Sequence, residues 1–225
     1  MLLISRRAWL ARAAGSTAAL AAGMSYMREA LAQGEIKSGV SRLQGDVRVN
    51  GQGTQVGAPI KPGDVVETGR GDTVVVVERD AFLVRAGTKV EFGGGSSPVA
   101  KGTLRVLAGK VLSVFVPGNR VQLATRTATI GIRGTGIYIE VIPDCTYACT
   151  CYGSAELNPL ADAKQAVTVT TTYHDSPRYI FASAAASIKG ALIEVAPVVN
   201  HSDAELIMLE SLVARKVPFT GTGRY

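Results

Sequence analysis

The sequence has little histidine and little cysteine, with two and three residues in 225, and its charged residues form no runs. The formal net charge is +6, and it falls to +3 if residues 1–32 are removed, because that segment carries four arginines and one glutamate. So small and dispersed a positive charge argues against a nucleic-acid-binding surface. Beyond residue 32, no run approaches the roughly 18 apolar residues that span a bilayer, so we expect no lasting transmembrane segment.

Residue sets that carry enzymatic chemistry are also missing. Neither histidine lies in a sequence resembling a known nucleophile elbow, and the scattered acidic residues offer no pair suited to glycoside hydrolysis. Residues 131–136 lack the order of a dinucleotide-binding loop, and strands follow them instead of the helix that would hold a phosphate. The one remaining catalytic combination is a cysteine–histidine pair formed by Cys151 and His174. We therefore expect a protein that is not an enzyme.

The N-terminus carries an export signal. Ser5–Leu10 (SRRAWL) matches the twin-arginine motif, with Trp9 in its aromatic position, and an uncharged run rich in Ala, Gly and Ser follows. Residues 30–32 (ALA) then form a small-x-small cleavage site. We expect residues 1–32 to be removed after Ala32, and the mature protein to reach the periplasm already folded.

Short strand patterns separated by turn signals fill the chain from Leu43 to about Leu157. Residues 45–51 alternate apolar and polar side chains and end in Asn-Gly, a tight-turn signal. Residues 61–64 (KPGD) form a second turn, in which proline and glycine suit the two central positions. Many short strands, with a turn about every 8–12 residues, predict an all-β sandwich, roll or solenoid.

Residues 158–225 are predicted to form a C-terminal extension. Val167–Tyr173 has the pattern of one more strand. Ser202 and Glu205 form a capping box, which predicts a helix over residues 203–214. Three apolar residues of that helix share one face: Leu206, Leu209 and Val213. We expect this face to cover an edge of the sheet.

Four segments of the chain together resemble the FecR domain family. They are residues 45–47 (GDV), 60–69 (IKPGDVVETG), 109–111 (GKV) and 132–139 (IRGTGIYI), and they occur in the family's order. The resemblance covers residues 43–157, about half of the chain. It implies a periplasmic all-β domain, a twisted, solenoid-like roll, with a binding or sensing role. Full-length relatives also carry an anti-sigma segment and a signalling domain. Because only a few residues precede Arg6 in this sequence, we expect no anti-sigma segment here. What the resemblance implies for this chain is therefore the fold and the binding or sensing role.

All three cysteines lie within Asp144–Gly153. Because side chains alternate along a strand, Cys149 and Cys151 share a face, roughly 6.5–7 Å apart, and Cys145 has the same parity. Three thiols on one face are soft ligands for zinc, for iron or for an iron–sulfur cluster, with a histidine as a fourth ligand. The predicted metal site is therefore Cys145, Cys149, Cys151 and His174.

Two other fates of the cysteines stay open. Thiols tend to pair in an oxidising periplasm, and Cys145 can close a disulfide with Cys149 or Cys151 across a turn, whereas strand residues at i and i+2 lie near the upper limit for bridging. Three inert thiols are the other outcome. Each histidine lies at the end of an element, His174 after a strand and His201 before the helix, a position typical of surface or capping residues.

We expect an exported, non-enzymatic FecR-type module that binds, senses or scaffolds. Its partner would be a periplasmic protein or an envelope ligand. Two alternatives come from different classes. One is a metal- or cluster-binding redox protein that uses the cysteines of residues 145–151, and the other is a polysaccharide- or envelope-binding module, a role in which stand-alone β-rolls often serve.

Overall fold

A computed structural model describes residues 36–93, 102–187 and 189–219. The export signal predicted over residues 1–32 lies outside these residues. The chain from Ile36 onward forms one compact unit. Within the described part, no helix has both the length and the apolar character needed to cross a membrane.

Fourteen strands form one hydrogen-bonded sheet in the described residues, and one α-helix follows them. The strands are β1 (Gly39–Leu43), β2 (Val47–Val49), β3 (Gln52–Gly53), β4 (Asp64–Thr68), β5 (Thr73–Val77), β6 (Asp80–Val84), β7 (Lys89–Phe92), β8 (Thr103–Val114), β9 (Arg120–Ala124), β10 (Ala128–Ile142), β11 (Cys145–Pro159), β12 (Val167–Thr171), β13 (Arg178–Phe181) and β14 (Ile193–Val195). The helix is α1 (Asp203–Leu212). The prediction of an all-β fold with a C-terminal helix is confirmed.

The sheet follows the order β14-β13-β11-β10-β9-β8-β7-β4-β2-β3, and a branch of β1, β5 and β6 joins it at β8. Every pairing is antiparallel except that of β8 with β9. The long strands β8, β10 and β11 change neighbours along their length. β8, for example, pairs with β7 and β9 in its first half and with β6 and β10 in its second half.

The central strands are buried on both faces. In β5, Val75 belongs to one apolar cluster, whereas Val74 and Val76 belong to a second one. We call the first cluster, which includes Phe82, the inner core, and the second, which includes Val74 and Leu209, the outer core. Burial on both faces explains why β5 is a continuous apolar run instead of an alternating one.

The outer core lies between the sheet and α1. The helix contributes the fully buried Leu206 and Leu209, and its C-cap residue Val213 is equally buried. It packs on β6 and β8, which have strands on both sides, so it covers a face of the sheet and not the edge that we expected. The Glu205 carboxylate accepts the Ser202 amide at 2.9 Å in the predicted capping box, and the helix ends at Leu212.

Glycines of the segment 131–136 produce a bulge between β10 and β11, as expected. The register of the two strands shifts on both sides of Gly136. A Cβ atom at this position would overlap the ring of Tyr152 on β11. Glycine is therefore required here for close approach of a side chain, not for binding a phosphate.

Candidate metal centre

The two cysteines of the predicted Cys-x-Cys pair lie side by side on β11. Both Cys149 and Cys151 are completely buried and belong to the outer core, as the alternation of the strand predicts. One flank of β11 pairs with β10 throughout. On the other flank, β11 pairs with β13 up to its residue Ala148 and with β12 from its residue Gly153 onward. The connection between β12 and β13 therefore passes directly beside the two cysteines.

His174 lies in this connection. Its backbone amide donates to the carbonyl of Cys151 at 2.9 Å, and its φ of 47° places it in the left-handed region. This turn directs the ring back over the strand, where Nδ1 lies 3.5 Å from Cys149 Sγ. The residue is 4% exposed, so the interpretation of His174 as a surface residue is wrong.

His201 reaches the same place from the start of α1. Its ring stacks on Tyr138 of β10, with centroids 4.7 Å apart and planes 19° from parallel. Nδ1 lies 2.7 Å from the carbonyl oxygen of Val199, and Nε2 lies 3.1 Å from His174 Nδ1. His201 is 5% exposed, so it too is a buried residue and not a surface residue.

Tyr147 fixes the segment that leads to His201. Its hydroxyl donates to the carbonyl of Pro197 at 2.9 Å and accepts the amide of Val199 at 3.2 Å. Tyr147 precedes Cys149 by two residues on β11 and points to the same face. The strand that carries the thiols therefore also positions the approach of the second histidine.

Four donor atoms converge at this point. Cys149, Cys151, His174 and His201 each offer one sulfur or ring nitrogen, and these four atoms all lie within 4.8 Å of one another. Donors about 2.0–2.3 Å from a tetrahedral zinc ion lie roughly 3.3–3.8 Å from each other. Two of the separations, 3.1 and 3.5 Å, are close to this range and none exceeds 4.8 Å, so the group can hold one ion once the more distant pairs move closer together.

The distances between the donor atoms distinguish a single metal ion from an iron–sulfur cluster. A two-iron cluster with mixed ligands places its two cysteines on one iron and its two histidines on the other. Here a histidine nitrogen lies 3.5 Å from a cysteine sulfur, as expected for ligands of the same ion. The donor set therefore fits a single zinc or iron ion better than a cluster.

The outer nitrogens of both histidine rings face acceptors. His201 Nδ1 faces the Val199 carbonyl at 2.7 Å, and His174 Nε2 faces a carboxylate oxygen of Asp203 at 3.3 Å. These acceptors favour protons on the two outer nitrogens. In neutral rings, the inner nitrogens then direct their lone pairs towards the same point, which is the arrangement that metal-bound histidines require.

Asp203 is a second-layer partner of the site that the sequence did not reveal. Its side chain is completely buried, with one oxygen near His174 and the other accepting the Tyr173 hydroxyl at 2.9 Å. A carboxylate behind a ligating histidine fixes the ring orientation and increases its basicity. The feature of the sequence that could have indicated this role is that Asp203 follows His201 by two residues at the start of the predicted helix.

The two thiols of the pair differ in acidity. Interaction with the Cys151 thiol holds the pKa of Cys149 well below its usual range, against the effect of burial, and both histidine rings contribute in the same direction. Burial raises the pKa of Cys151. The site therefore favours a thiolate at Cys149, the form that binds metal.

Cys145 lies apart from this group. It begins β11, four residues before Cys149 and so about 13 Å away along the strand. Burial raises its pKa to about 11. The structure thus brings together three of the four predicted ligands and supplies His201 in place of Cys145. All three cysteines are present as thiols, without a disulfide.

A separate open groove of about 420 Å³ lies elsewhere on the sheet. Its lining in the described residues combines polar side chains, among them Arg120, Arg133 and Glu156, with the apolar Val121 and Ile132. None of the four candidate ligands lines it.

Comparison with known proteins finds only a slight structural likeness. No protein-family model matches the chain, and no curated protein matches it. Two crystal structures of a "putative anti-sigma factor" from Parabacteroides distasonis ATCC 8503 are similar to it, each with 12% sequence identity and a TM-score of 0.46. The match covers 59% of this chain and 58% of theirs, so it spans little more than half of those proteins. A likeness this slight carries no statement about function.

Proposed function

We propose that this protein is a metal-binding β-domain that holds one transition-metal ion between Cys149, Cys151, His174 and His201. The observation that carries the proposal is the convergence of four buried donor atoms within 4.8 Å. Two thiolates and two imidazoles form a borderline-soft, tetrahedral set that suits Zn²⁺. The ion would join three parts of the chain: β11, the β12–β13 connection and the start of α1.

The role we propose is structural or sensing, not catalytic. Four protein ligands fill a tetrahedral shell, whereas catalytic zinc sites keep one position for water or substrate. Cys149, His174 and Asp203 do follow the order of a nucleophile, a base and an orienting carboxylate. However, the Cys149 side chain is completely buried beneath the outer core, so a substrate has no access to its sulfur in this conformation.

We further propose that the domain is an exported member of the FecR type. The twin-arginine motif of residues 5–10, the four family-like segments and the all-β architecture support this. Export after folding also suits the proposed site. Its ligands assemble only in the folded chain, and the metal ion can bind them in the reducing cytoplasm before export. Replacing Arg6 and Arg7 together with lysine should retain the protein in the cytoplasm, whereas Arg12→Lys should not; equal export of both variants would contradict the signal assignment.

Metal content is the direct test of the proposed function. The full chain, purified without chelators, should contain about one equivalent of metal by elemental analysis. Cys151→Ser should lose most of that metal, and the matched variant Cys145→Ser should retain it. A protein that neither retains nor binds a transition metal would refute the proposal, as would metal loss on changing Cys145 but not Cys151.

Replacement of the native ion by Co²⁺ tests the ligand set independently. The visible spectrum of the Co²⁺ form should show tetrahedral coordination and thiolate-to-metal charge transfer. His201→Ala should change the spectrum, because it removes one ligand. An unchanged spectrum would mean that His201 is not bound to the ion.

A further inference from the structure

We propose that metal binding and the docking of α1 onto the sheet are one coupled equilibrium, so that loss of the ion releases the helix. This inference rests on the proposed metal site and assigns it a regulatory consequence. Its basis is the position of the ligands relative to the helix and to the apolar face beneath it.

The start of α1 is built into the candidate site. His201 directly precedes the N-cap residue Ser202, and Asp203 is the first residue of the helix. Both side chains contact the ring of His174, which belongs to the β12–β13 connection: His201 Nε2 at 3.1 Å and the Asp203 carboxylate at 3.3 Å. An ion bound at these atoms would tie the N-terminus of the helix directly to β11.

The face that α1 covers is strongly apolar. In addition to the helix residues, the outer core contains buried side chains from five strands, among them Val74, Leu83, Leu112, Tyr138 and Tyr152. Release of the helix would expose part of this face to water, which costs about 25 cal/mol per Å² of apolar surface. Docking is thus favourable by itself, and the ion would act by shifting its equilibrium.

Another polar connection of the helix is more exposed. Arg85, which directly follows β6, forms a two-pronged ion pair with Glu205, at 2.8 and 2.9 Å. Both side chains are about a quarter exposed, so water and salt screen their attraction. At the C-terminal end of the helix, the buried Glu210 carboxylate accepts the Tyr152 hydroxyl of β11 and pairs with Arg215. The donor group is therefore the buried polar contact that can control the N-terminal end of the helix.

A bound ion would hold the donor group in this docked position more firmly than a proton does. Without an ion, the 3.1 Å contact between His174 Nδ1 and His201 Nε2 is a hydrogen bond, which needs a proton on one of these two nitrogens beside the Cys149 sulfur. A bound ion would replace this single bond by coordination from all four donor atoms. In the metal-free protein, His201 can move away together with α1, whereas Cys149 is held by the pairing of β11 with β10.

Hydrogen exchange measured by mass spectrometry tests the coupling. In the metal-free full chain, peptides covering Asp203–Leu212 should exchange at least about tenfold faster than in the metal-bound form. Peptides covering β2 and β4 should not change, because these strands lie far from α1 in the sheet order. Equal protection of α1 with and without metal would overturn the inference.

The effect of helix docking on metal affinity provides a second test of the coupling, in which no ligand is changed. If the ion binds the docked form, a mutation that lowers the population of the docked form must lower the apparent metal affinity by the same factor. Leu209→Ala should therefore reduce metal affinity by about fivefold or more, the lower range of measured couplings. Leu123→Ala is the matched control: it removes an equally buried leucine, but from the inner core, and should leave metal affinity unchanged.

The outcomes separate the two proposals. If the wild-type protein binds no metal, both are refuted. If it binds metal but the helix is equally protected without it, or if both leucine variants bind metal like the wild type, the metal site stands and the coupling is refuted.

Discussion

His174 Nδ1 and His201 Nε2 face each other at 3.1 Å in the interior of the protein, although 26 residues separate them in the chain. Each ring has its other nitrogen against an acceptor, a carboxylate for His174 and a backbone carbonyl for His201. Two buried imidazoles with this orientation, beside a thiol whose pKa is held below its usual range, are the arrangement that the proposed cation site requires.

Asp203→Asn should weaken metal binding about 10- to 100-fold, because it removes the carboxylate behind His174 without removing a ligand. The Co²⁺ spectrum should stay tetrahedral. Asp175→Asn is the control: Asp175 is exposed and follows His174, and its carboxylate binds Thr171 instead. Equal affinities of the two variants, measured by chelator competition, would show that Asp203 does not position the ligand.

Thiol titration should distinguish the metal site from a disulfide. Unfolded in denaturant with a chelator and no reductant, the purified protein should titrate three thiols, whereas a disulfide would leave one. In the folded, metal-bound protein all three should react slowly, because all are buried. Removal of metal should speed the reaction of two of them, and Cys145→Ser should leave that fast pair unchanged. A slow, unchanged pair after metal removal would argue against ligation.

Asp80 should make the stability of the protein depend on pH. Burial raises the pKa of its carboxyl to about 6, although the Val116 amide, donating at 2.7 Å, opposes the rise. Because the folded pKa is the higher one, the stabilisation is complete below about pH 4 and is lost as the pH rises through 6.

Asp80→Asn keeps an acceptor for Val116 but cannot ionise. Relative to the wild type, its free energy of unfolding should therefore increase by up to about 3 kcal/mol between pH 4 and pH 7.5. Urea unfolding of both proteins at several pH values measures this difference, in which the titrations of all other groups cancel. A difference that does not change with pH would contradict the assignment.

Gly136→Ala should destabilise the protein by about 1–3 kcal/mol, because the added methyl group would overlap the ring of Tyr152. Gly131→Ala in the same strand is the control. A Cβ atom there meets only the Glu156 side chain, at 3.8 Å, so its effect should be much smaller. Thermal unfolding of the two variants gives the comparison, and equal midpoints would contradict the steric explanation.

The sequence predicted most strands between Leu43 and Leu157 but not their lengths, and it did not predict β1, β13 or β14. Short strands were expected throughout that region. Instead, β10 and β11 are each 15 residues long. The error arose because glycine was taken as a strand boundary. Gly136 and Gly153 instead lie within long strands that bend at them.

The candidate site was predictable where it depended on one strand. Alternation alone placed Cys149 and Cys151 on a common face, because a strand has a fixed repeat. His201 was not identified as a ligand, since its proximity to the thiols depends on how the C-terminal extension folds back over the sheet. Asp203 was hidden for the same reason, since an acidic residue in the first turn of a helix has an ordinary capping role.

The way the ligands are divided between a rigid strand and two connections defines a pattern by which related sites can be recognised. The one-residue interval between Cys149 and Cys151 is set by strand geometry and cannot change without moving one sulfur to the opposite face. The intervals of 22 and 26 residues that lead to His174 and His201 cross turns and loops, which tolerate insertions. Homologues that share this centre should therefore keep Cys-x-Cys invariant, while the distances to the two histidines drift.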